Sequence, residues 1–299
     1  MNRLVIKKIL LYSNKEKAAY LPAPFDLFYY INNQKKEEFL KSNQIALCKI
    51  SNKNYITFNH IEEKVEKPSN SYLKDFSFFN RYSKGNLSIE SSHFIEEKSL
   101  LKYNHKIGIQ RNKYTKSTED AHLFRISMLE LNQDLDLKLL VEINEIDKLS
   151  TGYLKLGGEG KIANYEIKGN SIDEMLDFDR ESVLKDIKCS DIFKLVFITP
   201  LKINTSIESF FSNDDLHINV ITFLTEKPRL VGGFDLVKGV PKSMLKAFLQ
   251  GTVIYLSKPK EQEIKPYLDY LDSKLSSESQ FGYGHYEIVT TKIKFQEIL

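Results

Sequence analysis

The sequence predicts an α+β fold, and three observations carry that reading. Several stretches alternate apolar and polar residues with a period of two, two others switch to helical spacing, and the order strands, helix, strands, helix, strand has antiparallel character. Residues Leu4–Leu11 form a short predicted strand, and Tyr20-Leu-Pro-Ala-Pro-Phe-Asp26 is an extended segment fixed by its two prolines. Residues 34–98 are polar, mixed in charge and weakly periodic. They are expected to be a long irregular insertion, with short strands at Ile45–Ile50 and Tyr55–Phe58. From Lys106 the pattern sharpens: Ile107 and Ile109, then Phe124, Ile126 and Met128, then Leu137, Leu139, Val141 and Ile143 alternate with other residues. Each set predicts a half-buried strand with one face on a core. Tyr153–Leu156 and Ile162–Ile167 predict strands either side of a glycine-rich turn.

Between Ser171 and Ile187 the period changes, with Ile172, Met175, Leu176, Val183, Leu184 and Ile187 at helical spacing and Ser171 with Glu174 as a capping box. Strands resume at Phe193–Ile198, His217–Leu224, Thr252–Leu256 and Tyr286–Ile293. A second helix is predicted at Glu261–Leu275, where Pro266 is tolerable only in the first turns. The domain boundary falls near Gly169, giving domains 1–168 and 169–299, and no internal repeat is visible.

At 299 residues, with 41% hydrophobic and 28% charged residues, the chain is long enough for two domains and needs no covalent staples. No apolar run approaches the roughly 18 residues of a membrane span. The start, with Ile9-Leu10-Leu11 after Lys7-Lys8, lacks the pattern of a signal peptide. Two cysteines, Cys48 and Cys189, cannot make a disulfide framework, nor a four-ligand zinc site without several histidines in support, and a reducing cytoplasm is expected. The net charge of +3 points weakly to nucleic acid. Because nearly all the positive charge is lysine, the six arginines are the more informative cations.

Four segments could carry chemistry. Between predicted strands ending at Gln110 and beginning near Leu123 lies a loop with Arg111, Lys113, Tyr114, Thr115, Lys116, Ser117 and Thr118. Cations and hydroxyls suit phosphates and the 2′-OH of single-stranded RNA, and Tyr114 suits base stacking. The same residues also compose an ordinary solvated loop, which is the simpler reading when they are taken alone. In Leu156-Gly-Gly-Glu-Gly-Lys161, Gly157, Gly158 and Gly160 leave backbone N–H groups bare for an anion and Lys161 adds a cation; a plain hairpin turn is equally consistent. The segment is not a P-loop, and its match to a dinucleotide fingerprint fails because a strand, not a helix, should follow. Gly232, Gly233 and Gly239 with Lys238 and Lys242 offer bare backbone beside cations, or a long irregular connection. Gly282 and Gly284 imply a tight bend before the last strand. His105 and His122 flank the basic loop and are the candidates for acid–base cleavage of RNA, although a satisfied structural histidine is the commoner case. Asp214-Asp215 sits in a polar stretch as a solvated loop, and no metal site or cofactor is expected.

In order and spacing these segments resemble one family, the RAMP-type third Cmr subunit of type III-B CRISPR complexes. The likeness is carried by Tyr20–Asp26, by Lys106-Ile-Gly-Ile-Gln-Arg111 with Thr115–Phe124, by Leu139-Leu-Val-Glu142 and by Leu156–Lys161. Thr199-Pro200, Pro228-Arg-Leu-Val-Gly-Gly-Phe-Asp-Leu236 and Phe281-Gly-Tyr-Gly284 complete it. The resemblance implies two ferredoxin-like (RRM-like) RAMP domains. It implies a non-catalytic subunit that holds the 5′ repeat-derived tag of the guide RNA beside the large polymerase-like subunit, next to other RAMP subunits. The target cut and cyclic oligoadenylate synthesis belong to other subunits in that family. Members usually open with a strand, a short loop and a small-residue helix ahead of the Leu-Pro-Ala-Pro segment. This chain starts close to that segment, so its first domain is expected to be incomplete.

Overall fold

The computed structural model describes residues 5–32, 37–41, 44–50, 53–59, 61, 63–68, 70–74, 76–85, 90–111, 114–115, 118–144, 150–156, 161–235, 238–293 and 295–297. The chain begins with β1 (Ile6–Ser13), β2 (Ala18–Pro22), β3 (Tyr29–Ile31), β4 (Glu37–Phe39), β5 (Ile45–Ile50) and β6 (Lys53–Phe58). It continues through β7 (Val65–Glu66), β8 (Ser71–Leu73), α1 (Phe76–Ser83), β9 (Phe94–Glu96) and α2 (Glu97–Leu100). Next come β10 (Leu101–Arg111), β11 (Thr118–Leu131), β12 (Leu137–Ile143), β13 (Gly152–Leu156) and β14 (Lys161–Tyr165). After them come α3 (Ile172–Met175), α4 (Arg180–Lys188), β15 (Ile192–Phe197), β16 (Leu201–Lys202), α5 (Ile207–Phe211), β17 (Asn219–Leu224), β18 (Arg229–Asp235) and β19 (Val240–Phe248). The last elements are β20 (Val253–Ser257), α6 (Lys265–Ser279), β21 (Tyr286–Thr290) and β22 (Phe295–Glu297).

The α+β expectation holds. An N-terminal antiparallel sheet has the order β12-β1-β2-β8-β9, and a C-terminal one the order β17-β20-β15-β21. In the second sheet β15 lies beside β20 and β21, with α5 in the link from β15 to β17 and α6 in the link from β20 to β21. Each link thus spans a strand of opposite direction. β15, Ile-Phe-Lys-Leu-Val-Phe, is buried along its whole length. Its near-continuous apolar run is what a strand covered on both faces requires. α6 contributes Tyr267, Leu268, Leu271 and Leu275 to the core, and Pro266 stands in its first turn, where the missing N–H costs nothing.

Two expectations are corrected. Within residues 34–98 the short strands expected at 45–50 and 55–58 form, but the segment is less irregular than expected: β8 and β9 are also strands, in the first sheet, and α1 buries Phe78, Phe79 and Tyr82 completely. Polar residues around short elements hid the periodicity there. The helix predicted over Ser171–Ile187 is two helices. The predicted capping box forms at Ser171 and Glu174, but Asp177 turns left-handed (φ 52°) and Asp179 starts α4 by accepting from the Ser182 N–H at 3.0 Å.

One continuous core includes residues from β1, β2, α1, α4, β15, β20, α6 and β21. The Leu21–Asp26 segment runs through it, wholly buried. Pro22 and Pro24 have no N–H to satisfy, and the intervening donors are used: Ala23 N–H reaches Ser71 O at 2.9 Å and Phe25 N–H reaches Gly251 O at 2.8 Å. Gly251 has φ 88°, and a Cβ there would stand 2.5 Å from Ala23 O, so only glycine permits this approach. The segment ends in Asp26, fully buried, which receives three hydrogen bonds of 2.7 Å: from Lys194 Nζ and the Tyr255 hydroxyl on Oδ2, and from the Tyr82 hydroxyl on Oδ1. The Lys194 ammonium also lies 4.1 Å from the centre of the Tyr82 ring. A second charged group joins the halves where Lys8 meets both Asp173 and Glu287 at 2.5 Å.

Candidate nucleic-acid interface

Three antiparallel ribbons carry the segments singled out in the sequence. β10 and β11 pair from Leu101↔Leu131 to Arg111↔Thr118. β13 and β14 pair from Gly152↔Tyr165 to Leu156↔Lys161. β18 and β19 pair from Arg229↔Ala247 to Asp235↔Val240. Among the described residues the first two ribbons are two-stranded, and the third extends only through β16.

The alternation at 106–110 and 123–128 does produce strands, but not strands with a face on the core. Residues Lys102–Ile107 are exposed one after another, so both faces of the pleat are open. Opposed residues share a face, so Tyr103 with Leu129 lines one side, 54% and 55% exposed, and Ile107 on the same side is 69% exposed. Leu139 and Val141 of β12 are likewise exposed, contrary to expectation. Period two shows that a strand has two unlike faces; it does not show what covers either of them. On β13 and β14, Tyr153 and Ile162 are 76% and 75% exposed, with Lys155 beside them. On the third ribbon Leu230, Val240 and Met244 are exposed. Isolated two-stranded hairpins are marginal in water, and apolar residues gathered on them mark surfaces that meet a partner.

At the tip of the first ribbon Tyr114 is 93% exposed. Lys113 and Lys116 lie outside the described residues, and for Arg111 and His122 only the strand backbone is described. Gly157, Gly158 and Gly160 also lie outside them, while Lys161 and Gly233 are placed on their strands. Lys161–Tyr165 continues as a strand, which removes the dinucleotide-binding reading as expected. Gly232–Asp235 and Val240–Lys242, from the segment that also fitted an irregular connection, pair as antiparallel strands with a bulge between Val231 and Gly233. Met244 Sδ lies where a Cβ of Gly232 would stand, so that face of the bare backbone is filled by a thioether, whereas Lys242 on β19 is exposed. His105 is exposed, with Nδ1 2.9 Å from Ser127 Oγ. From Ser127, the residue opposite His105, to His122 is five strand residues, about 17 Å. The two histidines are therefore not neighbours. Among the described residues no three His, Cys, Asp or Glu side chains converge on a metal position, and no helix is long and apolar enough to cross a membrane.

By fold and surface this is an α+β protein whose packed body carries exposed cationic and aromatic ribbons. The chain belongs to the family of the CRISPR-associated protein (Cas_Cmr3), whose pattern matches residues 4–291. The CRISPR system CMR subunit Cmr3 of Saccharolobus solfataricus is 22% identical over 158 residues, which are 52% of this chain and 44% of that protein. The match thus spans less than half of that relative's length. A chain in the cryo-EM structure of the Type III-B Cmr-beta bound to cognate target RNA and AMPPnP, state 1, covers 94% of this chain and 73% of its own length at a TM-score of 0.44 and 13% identity. A chain in the cryo-EM structure of the Type III-B Cmr-beta bound to cognate target RNA has a TM-score of 0.42 and 16% identity, covering 88% of this chain and 74% of its own.

Proposed function

We propose that this chain is a non-catalytic RNA-binding subunit of a type III-B CRISPR effector complex in the cytoplasm. It holds the 5′ repeat-derived tag of the guide RNA beside the large polymerase-like subunit and neighbouring RAMP subunits. Family membership supports the assembly. The observation that carries RNA binding is the set of exposed ribbons, whose rings and cations suit a single strand: Tyr114 and Tyr153 offer flat faces, and Lys155 and Lys242 offer charge. Arg111, Lys113, Lys116 and Lys161 are further cations assigned to phosphates by this reading, with Gly157, Gly158 and Gly160 as candidate anion-binding amides. We further assign residues 1–168 and 169–299 to two ferredoxin-like domains. The β17-β20-β15-β21 order with its two strand–helix–strand links supports this for the second.

Tag-RNA binding by the assembled complex is then expected to weaken with salt at a slope near −0.7 per neutralised phosphate, and Arg111→Ala to reduce that slope by about one contact. An unchanged affinity and slope in that variant would remove Arg111 from the site, and recovery of cleaved RNA from the purified chain would remove the non-catalytic assignment.

A further inference from the structure

A groove of about 1050 Å³ opens between the base of the β10–β11 ribbon, the small sheet β4-β3-β7 and β9. Its walls hold the rings of Tyr29, Phe94 and Tyr103 and the cations Lys102 and Arg229. Arg229 begins β18, so the first and third ribbons meet here at their bases. Three acids line the groove too: Glu96 pairs with Lys98 at 2.5 Å, Glu97 accepts from the Tyr103 hydroxyl at 3.0 Å and keeps its charge, and Glu37 stands on the β4 side. Among the described residues neither Lys102 nor Arg229 has an ion-pair partner, and both side chains are exposed.

We propose that this groove seats a segment of single-stranded RNA, with Arg229 and Lys102 on phosphates and the Tyr103 ring stacked on a base. The proposal rests on the RNA-binding reading above and adds a contact zone at the ribbon bases, about 27 Å along the strand from the Arg111 tip. The chemistry favours a nucleotide because the wall pairs cations with flat ring faces. An acidic peptide answers the cations alone and a basic one the acids alone, whereas a nucleotide uses the cations and the flat ring faces together. The volume slightly exceeds the roughly 300–1,000 Å³ of small-molecule sites and leaves room for a nucleotide and part of its neighbours.

The test is fluorescence anisotropy of the full chain with a short labelled oligouridylate across a salt series. Arg229→Ala and Lys102→Ala are each expected to weaken binding about tenfold at low salt and to reduce the logarithmic salt slope by about 0.7. Tyr103→Ala is expected to weaken it about tenfold and Tyr103→Phe to bind like the parent, since the ring does the stacking. If the three alanine variants bind as the parent does while Arg111→Ala binds less, the groove proposal is wrong and the RNA-binding reading stands. If the parent binds no RNA at any salt, both fall. Should Tyr103→Ala fail to fold, the two cation variants decide alone. If the cation variants weaken binding, Tyr103→Ala does not, and polyglutamate displaces the RNA, the groove is an anion-binding protein contact and the proposal is overturned.

Discussion

Asp26 is the residue on which the two halves turn. Its carboxylate is the only described counter-charge of Lys194, an ammonium whose pKa burial pushes down and the Asp26 charge pulls back up. Breaking a buried pair on one side strands the other charge, at a cost of about 3–5 kcal/mol. Asp26→Asn is therefore expected to lose that much in urea unfolding, and Lys194→Met a comparable amount. The double variant should lose clearly less than the sum, because neither charge is then left alone. Additive losses would mean that the pair is not coupled. His285 provides a second prediction. Nε2 lies 3.1 Å from Ile6 O and 3.2 Å from Ser279 O, so the ring proton sits there, and buried Nδ1 has no partner among the described residues. Burial lowers the pKa below the ordinary 6.5, against the pull of those two carbonyls. A histidine whose folded pKa is depressed contributes stability above about pH 6.5 that is lost as pH falls through the folded value. The melting temperature should drop below pH 6.5 in the parent and drop less in His285→Gln; parallel curves would exclude His285 as the cause.

At the scale of elements, the ribbons are expected to be dispensable for folding and needed for binding. Replacing residues 107–125 with an Asn-Gly turn between Lys106 and Ile126, which face each other in the register, removes the outer part of a strand pair whose base, Lys102–Ile107, is exposed on both faces. The stability change should stay within about 1 kcal/mol, as for surface changes generally, while RNA affinity falls. Cooperative loss of the fold on trimming would show that the ribbon packs more than its exposure implies. The same contrast explains what was legible in the sequence. Alternation at 137–143 predicts a strand with nearly correct ends, and the strands expected at 153–156 and 193–198 form as β13 and β15, because local pattern determines these. The exposure of Tyr103, Ile107, Tyr153 and Ile162 was not legible, since it depends on which element lies opposite. Nor was Arg229 as a groove residue: it acquires its neighbours Tyr29 and Tyr103 only through tertiary contact. The short strands β8 and β9 carry too few residues for any period to show.

The main core spans both sheets, and its buried tyrosines tie that core to alkaline pH. Tyr82 and Tyr255 donate to Asp26, and their pKa values are raised by burial and then by the Asp26 charge. Tyr267 and Tyr286 are raised mainly by burial as well. Below pH 10 all four are neutral in either state. Above it the unfolded chain releases their protons and the folded chain keeps them, so stability falls, by about 1.4 kcal/mol per pH unit for each tyrosine. Lys194 acts with the opposite sign: its folded pKa is lowered, so between that value and 10.5 rising pH favours the fold. One lysine does not outweigh four tyrosines, and the net expectation is destabilisation. In a titration above pH 10, part of the tyrosinate absorbance should therefore appear only together with the loss of circular dichroism. It should do so in a single step, because the Asp26–Lys194 and Lys8–Glu287 contacts join the halves. Tyr82→Phe with Tyr255→Phe keeps the rings but removes two of the protons. Stability at pH 8 should then be lower, from two lost hydrogen bonds to Asp26, and its fall above pH 10 shallower. Full tyrosine ionisation with the dichroism intact, or two separate steps, would show that the core is neither as closed nor as continuous as its packing indicates.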